Sequence, residues 1–482
     1  MLGFTLMLVV FILGYTAIAL EHSIEVDKAA SALLLGVLVW VIYILDSTNI
    51  LTLGFSDAWR EFQNGTGLKD LLEMHPHADL MEQTKYFIVH NQIIEHLGDI
   101  SEILFFLLGA MTIVETVDQH EGFKLITDRI KTTKKVKLLW ILSILTFFMS
   151  AILDNLTTTI VIVTLLSKLV DDKKTRWFFA SMVIIAANAG GAFSPIGDVT
   201  TIMLWIGGQV TAGNIITMVF VPSLFNMLFP LAVVSFMMKG DVQRPVLDKN
   251  ESKEFTTEFE RKLMLFVGVG ALLFVPVFKT ITHLPPYMGM LFGLGVIWII
   301  TELLHKNKPS EDRRKLTVVG VLRKVDVPTI FFFLGILSAV AALQSAGHLS
   351  LAGLWLDKNF HHIYYINAAI GVLSSIVDNV PLTAGAMGMY PIMTHSLAAV
   401  SAEPQYMMNF VQDGPFWELL AYAAGTGGSI LIIGSAAGVA AMALEKIDFI
   451  WYMKKISWLA LIGYIGGIAI YWLQELFIFH VM

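Results

Sequence analysis

The chain opens on MLGFTLMLVVFILGYTAIAL, a stretch with no charged side chain, and apolar runs of similar length recur as far as residue 478. A helix needs about 20 apolar residues to cross a bilayer. Runs of that length near 2–20, 29–45, 101–117, 215–238, 263–279, 287–304, 328–345 and 456–478 therefore predict simple spans. The composition agrees. Hydrophobic residues make up 56% of the chain and charged ones 15%, against about half and about a quarter in soluble proteins, and mean hydropathy is +0.70. The opening segment has the apolar core of a signal peptide but no basic start, so it reads as a retained first span. A net charge of −7 excludes a basic nucleic-acid footprint. The absence of cysteine excludes disulfides, thiolate metal sites and thiol chemistry.

Four segments depart from simple spans. Residues 138–170 and 364–394 are each long enough for two short arms around a polar centre, and 177–209 and 417–442 are interrupted by glycines. Cytoplasmic loops concentrate Lys and Arg. The basic stretches 124–137 and 168–176 flank the same apolar segment, so 138–170 begins and ends on the cytoplasmic side as a re-entrant hairpin. Residues 364–394 have flanks poor in Lys and Arg and are expected to dip in from outside. This gives ten crossings and two hairpins, with both termini and the acidic stretch 46–99 outside.

The two halves repeat. FFLLGAMTIV (105–114) matches FFFLGILSAV (331–340), SAILDNLTTT (150–159) matches SSIVDNVPLT (374–383), and NAGGAFSPIGD (188–198) matches GTGGSILIIGS (425–435). Matches in one order with opposite charge flanks predict an inverted-topology repeat. The expected fold is an all-α polytopic membrane protein with 1–238 as the first repeat, 239–262 as a cytoplasmic linker and 263–482 as the second repeat. Each repeat carries one hairpin and one broken helix.

Chemistry concentrates in the irregular segments. Asp154-Asn155 and Asp378-Asn379 sit at the hairpin centres. An ionised Asp at mid-bilayer costs about 2.5–3.5 kcal/mol on insertion scales, so it must be protonated, paired or bound to a cation. An N-cap role accounts for the position, but Ser or Thr would fill it without the charge. In Asn188 through Thr201, Gly190, Gly191, Pro195 and Gly197 predict a broken helix that frees backbone groups at membrane depth. Asn188, Ser194, Asp198, Thr200 and Thr201 surround that break, while the matching Thr426 to Ser435 segment, with Ser429, has no carboxylate. With Thr157 and Thr383 as supporting oxygens, the set is hard oxygen donors suited to an alkali cation. Desolvation disfavours an ionised carboxylate and a bound cation favours it, so proton and metal ion compete for one group. No resident cofactor is expected. Glu102 and Glu115 read as interfacial carboxylates, the outer His75, His77, His90 and His96 as surface histidines, and Trp40, Trp140, Trp205, Trp298 and Trp451 as interfacial anchors.

The segments SAILDNLTTT, NAGGAFSPIGDVTT and SSIVDNVPLT resemble the signature segments of NhaD-type sodium/proton antiporters of the ion transporter superfamily. The resemblance runs over about 30–482. It implies a multi-pass protein of a bacterial inner membrane, a homodimer with a scaffold part and an elevator-like transport part. It also implies electrogenic efflux of Na⁺ or Li⁺ driven by inward H⁺, most active at alkaline pH. The family's important acids and amides fall on Asp154, Asn155, Asn188, Asp198, Asp378 and Asn379, with Thr200 and Thr201 nearby. In this reading Asp154 and Asp378 carry cation or proton, and Asp198 is a third Na⁺ ligand or charge compensator. Dicarboxylate carriers of the superfamily typically carry Ser-Asn-Thr at the hairpin tips, so Asp-Asn favours a cation over a carboxylate cargo. An intramembrane aspartyl protease is the remote alternative; its expected Gly-x-Gly-Asp stands here as Pro195-Ile-Gly-Asp198.

Overall fold

A computed structural model of the chain describes residues 1–127, 130–244 and 256–479. Residues 245–255 of the expected linker 239–262, and Asp128 and Arg129 of the basic loop, lie outside the described residues. The described chain is helical throughout, without a β-strand. Eight of its helices are long and apolar enough to cross a membrane, and each overlaps one of the simple spans read from the sequence. The molecule is an all-α polytopic membrane protein.

Sixteen helices carry the architecture: α1 (Leu2–Ala19), α2 (Lys28–Leu45), α3 (Leu80–Gln119), α4 (Lys135–Ser150), α5 (Asn155–Leu169), α6 (Lys173–Ala192), α7 (Val199–Ile206) and α8 (Ala212–Met237), then α9 (Glu258–Thr282), α10 (Pro286–His305), α11 (Val327–Ala346), α12 (Ile363–Leu373), α13 (Asn379–Met389), α14 (Pro415–Gly427), α15 (Ala436–Glu445) and α16 (Ser457–Gln474). The first hairpin segment is thus α4 and α5, with a four-residue turn at residues 151–154, and the second is α12 and α13. The first broken helix is α6 and α7, the second α14 and α15.

Two expectations shift. α3 begins at Leu80, well before the span expected at 101, and includes a π-helical stretch over Phe87–Ile93. Its start is fixed by a capping box in which the Asp79 side chain accepts from the Glu82 N–H and the Glu82 side chain accepts from the Asp79 N–H. Continuous helix therefore occupies part of the acidic stretch 46–99. Along the first broken helix, α6 runs through Gly190 and Gly191 to Ala192, and the break is confined to residues 193–198.

The chain forms two compact units, each drawn from both halves of the sequence. The first comprises Met1–Leu104, Asp326–His362 and Val380–Ile392. In it α2 packs along α11, where Trp40 Nε1 donates to the Ser338 carbonyl at 3.0 Å and the Tyr43 hydroxyl to the Ser345 carbonyl at 3.1 Å. His96 is held in this unit, its Nε2 3.0 Å from Ser345 Oγ, so it is not a free surface histidine. The second unit comprises Phe105–Val325, Ile363–Asn379 and Met393–Met482. Its centre is α6, whose residues from Phe179 to Ala192 are all buried, with α4, α5, α8, α14 and α15 packed against it. Trp205, expected as an interfacial anchor, is buried here at 2% exposure. Lys279 Nζ lies 4.8 Å from its ring centre and donates to its carbonyl at 2.9 Å, a basic lid over an aromatic face.

Candidate cation and proton site

Side-chain chemistry in the second unit is set by how closely its backbones approach. A Cβ built on Gly190 would lie 2.1 Å from the Phe147 carbonyl oxygen, and one on Gly427 would lie 2.0 Å from that of Gly371. Only glycine lets α6 meet α4, and α14 meet α12, at that distance. Beside these contacts Ser150 Oγ donates to the Ala187 carbonyl at 2.6 Å and Ser374 Oγ to the Ala424 carbonyl at 2.8 Å. The hairpin first arms are thereby tied to the stretches of helix just before the two breaks.

After the first break the chain enters α7 through Asp198, which is 1% exposed. Its Oδ1 accepts from the Thr200 N–H at 2.9 Å, from Thr200 Oγ1 at 2.8 Å and from Asn379 Nδ2 at 3.4 Å. Its Oδ2 accepts from Asn155 Nδ2 at 2.6 Å. Among the described residues, every hydrogen-bond donor to this buried carboxylate is neutral. Asn155 Nδ2 also donates to Asn188 Oδ1 at 3.1 Å, and Asn188 Nδ2 donates to Ser429 Oγ and Ser435 Oγ, each at 2.9 Å. One network thus joins the first hairpin, both broken helices and Asn379, all within the second unit.

The other sequence candidates take distinct places. Asp154 is the N-cap of α5: its Oδ1 accepts from the Thr157 N–H at 2.7 Å and its Oδ2 from Thr157 Oγ1 at 2.8 Å. Its φ of +134° lies in a region that residues other than glycine rarely adopt. Asp154 and Asp378 immediately precede Asn155 and Asn379, the two residues whose amides reach Asp198. Ser194 Oγ donates to the Ala151 carbonyl at 2.5 Å, tying the first break to the hairpin turn, and Thr201 Oγ1 donates across the break to the Ala192 carbonyl at 3.2 Å. Thr426 donates back to the Tyr422 carbonyl at 2.6 Å and is spent within its own helix. Thr383 is buried in the first unit, apart in the chain's division from the other candidates.

Two residues have no role of their own in the sequence reading. Ser435 occupies the position matched to Asp198 and caps α15, its Oγ accepting from the Gly438 N–H at 3.2 Å, so it belongs to the network. Glu418, 2% exposed in α14, accepts from the Tyr471 hydroxyl at 2.5 Å and from Asn214 Nδ2. A lone acid within the apolar run PFWELLAYAA was a signal that could have found it.

The donor set is chemically narrow. Helix N-termini favour anions, yet those of α5 and α7 are capped by the chain's own carboxylates, Asp154 and Asp198. What remains unneutralised is negative charge amid amide, hydroxyl and carbonyl oxygens, an environment for a hard cation or a proton.

Comparison with known proteins gives the same direction. A citrate transporter family model matches residues 6–412. The chain is similar to sodium/proton antiporter 1 of Arabidopsis thaliana, with 44% identity over 469 positions, covering 96% of this chain and 71% of that protein. It is similar to sodium/proton antiporter 2 of the same plant, 40% identical over 472 positions and covering 96% and 98%. It also resembles the Na⁺/H⁺ antiporter NhaD of Vibrio cholerae, 29% identical over 499 positions and covering 96% and 90%. The chain belongs to the citrate transporter family, among its NhaD-type sodium/proton antiporters.

Proposed function

We propose that this protein is a secondary antiporter exchanging Na⁺ or Li⁺ for H⁺, with Asp198 as the principal group for which metal ion and proton compete. The observation that carries the reading is the placement of Asp198: a carboxylate 1% exposed whose hydrogen-bond donors are all neutral. Ionised, it needs a cation; without one, it is favoured as the acid. Loading either species expels the other, which is sufficient for exchange if the site opens alternately to the two sides. Asp154 and Asp378 flank this centre and add negative field, so that more than one proton can be displaced per metal ion, as electrogenic exchange requires. Asn155, Asn188, Asn379, Thr200, Thr201, Ser429 and Ser435 supply or position neutral oxygens.

The repeat supports alternating access. The segments matched in sequence make matched contacts: Ser150 to Ala187 corresponds to Ser374 to Ala424, and Gly190 against Phe147 to Gly427 against Gly371. In both pairs the hairpin partners are 224 positions apart and the broken-helix partners 237. We read 1–238 and 263–482 as inverted repeats joined by 239–262, in a homodimer whose transport part moves in an elevator-like step. The setting is an ion-tight, proton-energised membrane such as the inner membrane of a bacterium. The carboxylate cargo in the family's description is disfavoured because Asp154 and Asp198 fill helix N-termini that would receive it.

Dequenching of a pH-sensitive dye in everted vesicles tests the reading. Addition of Na⁺ or Li⁺ is expected to collapse an acid-inside gradient, and citrate or succinate to leave it unchanged. Na⁺-dependent uptake of labelled citrate without Na⁺-driven proton movement would replace exchange with carboxylate transport. Asp154→Ser separates cap from carrier. It is expected to retain a capping oxygen, to alter stability by less than about 1 kcal/mol, and to raise the half-saturating Na⁺ concentration. An unchanged Na⁺ dependence would leave Asp154 a helix cap alone.

A further inference from the structure

Threonine hydroxyls inside helices ordinarily donate to the carbonyl one turn back, and in this protein Thr112, Thr146 and Thr426 do so at 2.6 Å. Thr158 and Thr159 on α5 do not. Both side chains are at zero exposure, and neither Oγ1 has a hydrogen-bond partner among the described residues, although the carbonyls of Asp154 and Asn155 stand at the usual acceptor position. A buried hydroxyl left unpaired is destabilising. Two adjacent ones, on the helix that carries the site's amide, offer a pair of hydroxyl oxygens to a partner from outside the chain.

Their place on the helix says which ligand. Thr158 and Thr159 follow Asn155 by three and four residues and so share its face. They lie about 4.5–6 Å further along the axis, towards the Leu169 end that the flanking lysines mark as cytoplasmic. α5 packs against α6 and α15, the helices that bring Asn188 and Ser435 to the network. Beyond the threonines the same face continues as Ile162, Val163 and Leu166, so the hydroxyls are the last side-chain oxygens on it. Hydroxyl oxygen is a hard donor for an alkali cation. Two neutral donors hold an ion weakly enough for it to leave again, as a station on a transport path must.

We propose that Thr158 and Thr159 form an inner oxygen station, one helical turn on the cytoplasmic side of the Asn155–Asp198 contact, through which the metal ion passes to and from the cytoplasm. The proposal rests on the reading of the protein as a Na⁺/H⁺ exchanger. Because the station holds no carboxylate of its own, it binds the metal ion and not the proton, and so contributes to selection among alkali cations.

The test is full-length protein in proteoliposomes, with Na⁺-driven and Li⁺-driven proton movement measured for wild type, Thr158→Val/Thr159→Val and Thr158→Ser/Thr159→Ser. Valine keeps the shape and removes only the oxygen. The valine pair is expected to raise the half-saturating Na⁺ concentration about tenfold, about 1.4 kcal/mol for the two oxygens together, and to change the Na⁺/Li⁺ ratio. Its thermal midpoint should be unchanged or higher, because two orphaned hydroxyls become methyl groups. The serine pair should behave as wild type. If the valine pair does not fold, Thr158→Ala and Thr159→Ala singly carry the same expectation at smaller size. Unchanged half-saturation for both ions, or an equal fall in maximal rate with both at unchanged half-saturation, overturns the station. A wild-type protein that moves no protons on Na⁺ addition overturns instead the exchange reading beneath it.

Discussion

Asp198→Asn is expected to reduce Na⁺-driven proton movement to the level of empty vesicles while leaving the folded protein intact. Asparagine is as good an N-cap as aspartate, and its carbonyl can still accept from the Thr200 N–H and hydroxyl that now bind Oδ1 at 2.9 and 2.8 Å. What it lacks is the charge, together with the second oxygen that now accepts from Asn155 Nδ2 at 2.6 Å. The amide cannot be neutralised by a proton or by Na⁺, so the competition underlying exchange disappears. Thermal midpoint by size-exclusion after heating is expected to stay within a few degrees of wild type, or above it, since burying an ion without a charged partner is costly. Residual exchange near the wild-type rate would move the carrier role back to Asp154 and Asp378.

The second large effect is on assembly. Gly427→Ala places a Cβ 2.0 Å from the Gly371 carbonyl oxygen, and Gly190→Ala places one 2.1 Å from that of Phe147. In each case the obstructing atom is backbone, so relief requires α12 to move off α14, or α4 off α6. Overpacking of this kind costs about 1–3 kcal/mol even where side chains can yield, and rigid backbone puts these two at the upper end or beyond. Both variants are expected to lose most folded protein in detergent. Gly270→Ala in α9, with nothing within 4 Å of the added atom, is the internal control. It should be neutral, or gain up to about 1 kcal/mol from helix propensity. Equal behaviour of all three would show that the close contacts do not hold the second unit together.

The spans were legible in the sequence because lipid makes a simple demand: every backbone polar group must be satisfied within the segment, so length and apolarity suffice. For the same reason the exceptions stood out. Asp-Asn in an apolar run and a Gly/Pro cluster at membrane depth mark positions where helix cannot continue, and the structure places turns or breaks there. Finer features depend on tertiary partners. The start of α3 at Leu80 follows from a capping box that reads as ordinary polar sequence, and Trp205 has the composition of an interfacial residue but a buried environment. Glycine pairs near a break do not say which of them ends the helix: Gly190 and Gly191 remain helical because close packing requires them, and Ser194 and Pro195 fall in the break itself.

The division of labour among the three acids was likewise beyond the sequence. Asp154, Asp198 and Asp378 are equivalent as residue types. Position separates them: Asp154 turns back to bind Thr157, whereas Asp198 faces the amides of two other segments. Ser435 shows the same limit from the other side. As a serine at a helix start it looks like a simple cap, and only the bond from Asn188 reveals its part in the network.

Proton release on Na⁺ binding tests the central claim most directly. Purified protein in weakly buffered detergent solution is titrated with NaCl, with choline chloride as control, while pH and bound ²²Na⁺ are followed together. Competition at Asp198 predicts acidification in proportion to the Na⁺ bound, weaker Na⁺ binding as pH falls, and loss of both in Asp198→Asn. Na⁺ binding that releases no protons and is indifferent to pH would contradict it.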